Sequence, residues 1–141
     1  MDAPAIHNIK RAGRVVMSRT TMTEFAFSGV GINPHFGTPA NPWRRQERRI
    51  PGGSSSGAAI SVSDGMAFVG IGRGRGGSCR VPAALTGLVG FKPTAGRISA
   101  QGTVPLSSTL DSIGSIGRTV RCCWAADSLL ATGKLSLHDA P

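Results

Sequence analysis

Twenty glycines stand among the 141 residues of this chain, and they concentrate between Gly52 and Gly102. Backbone so free of Cβ atoms turns tightly and lets other segments approach it closely, which argues against a regular helical bundle. The stretch reads instead as a functional region built on compact loops. Two serine segments lie inside it. "PGGSSSGAA" (Pro51–Ala59) sets three consecutive serines between glycines, and "RGGSCR" (Arg75–Arg80) repeats the design 24 residues on, from Ser54 to Ser78.

The flanking patterns place these segments on elements. A helix is predicted over residues 3–12, with Asp2 as its cap, Pro4 in the first turn, Ile6 and Ile9 on one face and Gly13 as its stop. Arg14–Met17 reads as a short strand and Thr23–Phe27 as a helical turn. The pairs Asn33-Pro34, Thr38-Pro39 and Asn41-Pro42 push residues 29–53 into extended loop. A small-residue helix is expected over Gly57–Asp64, a buried strand over Met66–Ile71, and a short helix over Val81–Leu85. Val89–Phe91 and Arg97–Ser99 are strand-like. The clearest helix is Thr119–Thr132, with Val120, Cys123, Trp124, Leu130 and Ala131 on one face and Gly133 ending it. Alternating helices and short strands predict an α/β fold. Residues 134–141 read as a tail, leaving one domain over residues 1–133.

Composition closes off several classes of function. No apolar run approaches the roughly 18 to 20 residues needed to cross a bilayer, and "MDAPAIHNIKRAGR" carries no secretory signal. Cys79, Cys122 and Cys123 show no metal-ligand spacing and read as reduced thiols of a cytoplasmic protein, while His7, His35 and His138 are scattered. No metal and no cofactor is implied. The formal charge of +9 is spread over the chain, and "WRRQERR" (Trp43–Arg49) is the only dense basic run. Nucleic-acid binding is the alternative this charge raises. Against it, tyrosine is absent, the five phenylalanines are dispersed, and only one Gly-Arg unit, "GRGRGG", is present.

The serines can be read in more than one way. Ser54–Ser56 could simply cap the helix that follows. "GSSSG" also matches the spacing G-x-S-x-G around Ser55, but "RRQERRIP" precedes it where that motif requires a buried strand. At "RGGSCR", Gly76 and Gly77 let successive N–H groups face one point, which suits an oxyanion beside the Ser78 hydroxyl. A serine hydroxyl needs a base within hydrogen-bond reach, and no histidine is placed to serve.

Taken together, "GTPANPW", "PGGSSSGAA", "GGSCRVPAALTGLVGFKPTAGR" and "VPLSSTLDSIGSIGRTV" resemble the amidase signature family, and the resemblance runs from about Asp2 to Gly133. It implies a mixed β-sheet covered by helices and hydrolysis of small-molecule carboxylic amides through a serine acyl-enzyme. By position, Ser78 resembles the nucleophile, Ser54 the cis-serine that relays its proton, and Ser55 the neighbour that orders the relay. The backbone of Arg75, Gly76, Gly77 and Ser78 corresponds to the oxyanion hole, and Arg80 to a supporting arginine. Thr21, Met22 and the glycine-serine loop are the parts of the acyl pocket this chain would supply. The resemblance further implies a cis Gly53–Ser54 peptide, hydrogen bonds among Ser54, Ser55 and Ser78, and a Ser54 hydroxyl beside that of Ser78.

The chain departs from the family pattern twice. Where members usually read G-T-D-T-G-G-S, this chain reads Gly72-Arg73-Gly74-Arg75-Gly76-Gly77-Ser78, and slackened geometry is expected there. The family's catalytic lysine lies upstream of the segment resembling "DAPAI", and neither Lys10 nor Lys92 matches it. The chain is therefore read as an incomplete amidase domain, to be joined by the missing remainder of the domain or by an oligomeric partner. A non-catalytic remnant kept as an interaction module is the alternative.

Overall fold

The computed structural model describes residues 2–135. In chain order the elements are α1 (Pro4–Arg11), α2 (Ser56–Ser63), β1 (Val69–Gly74), α3 (Arg80–Leu85), β2 (Val89–Phe91), β3 (Ser112–Gly117) and α4 (Val120–Thr132), with 3-10 turns at Glu24–Ala26 and Arg45–Glu47. The α/β class is as expected. The three strands lie in the order β1-β3-β2, and both pairings are antiparallel.

The central strand, β3, reads "SIGSIG" and is buried along its whole length. Its isoleucines point to opposite faces, as the two-residue strand period requires for positions 113 and 116. Ile113 joins Ala5, Ile9, Ile98 and Leu130, so one face of the sheet packs against α1 and α4. Ile116 joins Ala58, Ala59, Cys79 and Ala83, so the other face packs against α2, α3 and the segment that carries Ser78.

That second face is paved with glycine. Gly70 and Gly72 of β1, Gly90 of β2 and Gly114 of β3 share it. A Cβ on Gly72 would sit 2.5 Å from Ser55 Oγ, and one on Gly90 would sit 2.4 Å from the Cys79 carbonyl oxygen. The missing side chains let both serine loops lie directly on the sheet. These four glycines are thus a packing device for the serine loops.

Several expectations are corrected. Arg14–Met17 is not a strand but an exposed segment, because no described strand pairs with it; its one backbone bond, from Arg14 N–H to the Ile9 carbonyl at 3.1 Å, closes α1. The strand expected at Met66–Ile71 starts at Val69, and Phe68 is 95% exposed, because the turn closing α2 occupies the preceding residues. Arg97–Ser99 forms no strand, although Ile98 is buried. Asp2 does not cap α1; its carboxylate pairs instead with Lys10 at 2.8 Å. On α4, Val120 is exposed, and the buried face runs through Cys123, Ala126, Asp127 and Leu130. Buried Asp127 is tolerated because Arg97 pairs with it at 2.6 Å. Thr119 caps α4 by accepting the Cys122 N–H, and Gly133 ends the helix in the left-handed conformation. The expected tail, 134–141, lies outside the described residues from position 136 on.

Candidate active site

Two loops meet on the glycine face of the sheet. The first, residues 51–55, is held on all sides by backbone bonds. Gly53 N–H donates to Gly29 O at 2.8 Å, Thr23 N–H to Ser54 O at 2.9 Å, and Gly57 N–H to Thr21 O at 3.0 Å. The Gly53–Ser54 peptide is cis. The second loop joins β1 to α3 and carries Ser78. Ser55 N–H donates to Ser78 O at 3.1 Å, and this contact ties the two loops together.

Ser54 is 1% exposed, and its hydroxyl has no hydrogen-bond partner. The hydroxyl-to-hydroxyl bond expected between Ser54 and Ser78 is therefore not formed; the backbone bond from Ser55 does the joining. Ser78 is half-buried and lines a cavity of about 310 Å³. Around it, Val81 N–H donates to the Gly77 carbonyl at 2.8 Å and the Arg80 guanidinium to the Gly76 carbonyl at 3.2 Å. With those carbonyls occupied, the N–H groups of Arg75, Gly76, Gly77 and Ser78 donate to no protein acceptor among the described residues. Such a run of free donors beside a hydroxyl has the form of an anion-binding turn.

Cys79, next to Ser78, does not compete with it chemically. The thiol is 1% exposed, and burial pushes its pKa up to about 12, outweighing the relief from the Ser55 hydroxyl and the nearby cations. It remains a protonated thiol and serves as a core residue.

Both arginines of the Arg73-Gly74-Arg75 departure have partners. Arg73 forms an ion pair with Asp111 and donates to the Val104 carbonyl. Burial opposes the charge on Asp111, but N–H bonds from Ser107 and Leu106 and the Arg73 guanidinium outweigh it. Its carboxyl is held below the usual carboxylate range. Arg75 lies over the Phe27 ring, 5.6 Å from its centroid.

Thr21 and Met22 are not in the Ser78 cavity. They line a larger cavity of about 540 Å³ with Arg19, Glu24 and Phe36. The larger space touches neither serine, so the chemistry points to the smaller one. Sequence reasoning missed Phe27 and Asp111, which do line the Ser78 cavity. The available signal was Arg73: a charge in a strand calls for a counter-charge, and Asp111 is the acid in the neighbouring "TLDSIGS". The basic run Trp43–Arg49 is half neutralised: Arg44 and Arg49 share Glu47, Arg45 pairs with Asp64, and Arg48 pairs with no described acid. Among the described residues no cluster of His, Cys, Asp and Glu could hold a metal, and no helix is long and apolar enough to cross a membrane.

The family model described as Amidase matches residues 1–133. The chain is 49% identical over 117 residues to the 2-amino-5-chloromuconic acid deaminase of Comamonas testosteroni, covering 83% of this chain and 25% of that protein. It is 42% identical over 139 residues to one subunit of the glutamyl-tRNA(Gln) amidotransferase of Oleidesulfovibrio alaskensis, covering 99% of this chain and 27% of that one. Among solved structures, one described as an amidase superposes with a TM-score of 0.88 at 38% identity, over 92% of this chain and 30% of its own. The glutamyl-tRNA(Gln) amidotransferase subunit from Thermotoga maritima gives a TM-score of 0.85 at 39% identity, over 92% and 28%. The chain thus spans about a quarter of the length of the curated relatives it matches.

Proposed function

Because the chain belongs to the amidase family, we propose that it carries the acyl-transfer part of an amide-hydrolysing centre, with Ser78 as nucleophile and Ser54 as proton relay. The observation that carries this reading is the buried, unpartnered hydroxyl of Ser54 on the loop that the Ser55 N–H ties to Ser78; the Ser56 hydroxyl, also buried and unpartnered, lies in α2 beyond that tie. Leaving a buried hydroxyl unpaired costs about 1–3 kcal/mol, so its retention at this position calls for a reason. A relay supplies one: a neutral amine brought to Ser54 would accept its proton, and Ser54 in turn would accept the proton of Ser78.

In the reaction so read, Ser78 Oγ attacks the amide carbonyl carbon and its proton passes through Ser54 to the amine. The carbonyl oxygen, now an oxyanion, lies against the free N–H groups of residues 75–78. The proton returns to the departing amine as the C–N bond breaks, leaving an acyl-Ser78 ester. Water then adds by the same route and releases the acid. Ser55 holds the two loops in register through its N–H bond to Ser78, and Arg80 keeps the Gly76 carbonyl out of the oxyanion position.

The chain's own lysines do not supply the amine. Lys10 pairs with Asp2, Lys92 donates to the Pro93 carbonyl, and exposed Lys134 has no bond to either serine. The base therefore comes from the remainder of an amidase domain, on the same polypeptide or on a partner. The three free cysteines suit a reducing compartment such as the cytoplasm.

Chemical rescue tests this. A small primary amine added to the chain should accelerate hydrolysis of an aryl amide such as para-nitroacetanilide. That acceleration should vanish in Ser78→Ala and fall sharply in Ser54→Ala. An amine-dependent rate equal in the Ser78→Ala variant would sink the reading and favour a non-catalytic remnant.

A further inference from the structure

We propose that Arg75 makes the Ser78 cavity selective for amides that carry a carboxylate. The inference rests on the reading of Ser78 as the acyl-transfer residue, and it concerns what that site accepts.

Three charged side chains line the cavity: Arg73, Arg75 and Asp111. Two of them cancel. Arg73 and Asp111 are paired, and Asp111 is further engaged by the N–H groups of Leu106 and Ser107. Arg75 forms no ion pair with any described residue, so the cavity carries one excess positive charge. Its size, about 310 Å³, suits a small molecule.

The placement of Arg75 favours recognition over simple solvation. Its guanidinium lies over the face of Phe27, and a cation held that way keeps its in-plane N–H donors free. A planar fork of donors matches a carboxylate in two parallel hydrogen bonds. Phe27 is itself positioned by the backbone: Phe25 and Ala26, just before it, both have positive φ, at 52° and 55°, which side-chain-bearing residues rarely adopt. The chain turns there, and residues 26–29 line the cavity together with residues 75–78. Arg75 is three residues before Ser78. A substrate whose amide carbonyl lies at Ser78 would therefore present its carboxylate a few bonds from the scissile group, as in the monoamide of a short dicarboxylic acid.

The test is equilibrium binding to the full chain by calorimetry or ligand-observed NMR, using succinamate and the neutral amide butyramide as a matched pair. Because Arg75 is half-exposed, screening limits its effect, and the expected preference for succinamate is roughly fivefold at low salt, declining as salt is added. The preference should disappear in Arg75→Gln and persist in Arg121→Gln, which makes the same change in net charge on the exposed side of α4. It should also persist in Ser78→Ala, since ground-state binding needs no nucleophile. Equal affinities in the unmodified chain, absence of binding by either ligand, or a preference unchanged in Arg75→Gln would each overturn the inference. A preference that depends on Arg75 without any Ser78-dependent chemistry would leave it standing and remove the acyl-transfer reading instead.

Discussion

At the scale of single residues, burial and pairing decide what each group near Ser78 can do. Cys79 adjoins Ser78 in sequence, yet its buried thiol, with a pKa pushed up to about 12, stays protonated. Alkylation of the native chain with iodoacetamide at about pH 8 should therefore modify the half-buried Cys122 well before Cys79. Peptide mapping reads the order, and early modification of Cys79 would show that the loop opens. Asp111 gives a pH signature. Its carboxyl is held below the usual carboxylate range, so the folded state favours its ionised form. The stability it contributes is fully present above its unfolded value of about 3.9, and is lost as pH falls through its lower folded value. Asp111→Asn should lower stability by about 1–2 kcal/mol at neutral pH, since a guanidinium and two N–H donors lose a charged acceptor. The variant and parent should converge in acid; urea midpoints measured across pH would show it.

At the scale of elements, the sheet face beneath the serine loops tolerates no side chain at its glycines. A Cβ on Gly114 would sit 2.4 Å from the Phe91 carbonyl oxygen and 2.9 Å from Cys79 Sγ. Gly114→Ala should destabilise by about 2–3 kcal/mol, because overpacking against backbone has no rotamer to relieve it. Thr119→Ala, which removes the N-cap of α4, should cost only about 1 kcal/mol. Thermal unfolding followed by circular dichroism ranks the two, and a Gly114→Ala variant as stable as the parent would contradict the packing described. The same face explains what was legible in the sequence. Helices α1, α2 and α4 were readable because proline, small residues and glycine mark their ends. Strand β3 was not, since "SIGSIG" offers two isoleucines among glycines and serines and shows no alternation of apolar and polar residues. Its strand character comes from burial between two helical layers, which is a tertiary effect. The serine loops could be located from their glycines, but the Ser54 hydroxyl's lack of a partner and the Phe27 wall could not. Both depend on how residues 21–31 fold across the site.

At the scale of the whole molecule, the chain keeps much apolar surface in water. Val15, Met17, Phe36 and Phe68 are each more than 70% exposed, alongside Phe25 and Phe27. Patches of this kind mark surfaces that associate. The chain on its own should bind a hydrophobic dye and self-associate at micromolar concentrations despite its charge of +9. A dye-silent monomer in sedimentation, with a sharp thermal transition, would show instead a self-sufficient domain. The central claim is that Ser54 and Ser78 form an acyl-transfer pair awaiting its base, and it is tested most directly within a complete domain. The segment of the solved amidase that superposes on 92% of this chain can be replaced by this chain's residues, and amide turnover by the folded chimaera measured. The account predicts turnover that is abolished by Ser78→Ala and reduced on the order of a hundredfold or more by Ser54→Ala. A folded chimaera without turnover, or one whose turnover survives Ser78→Ala, would contradict it.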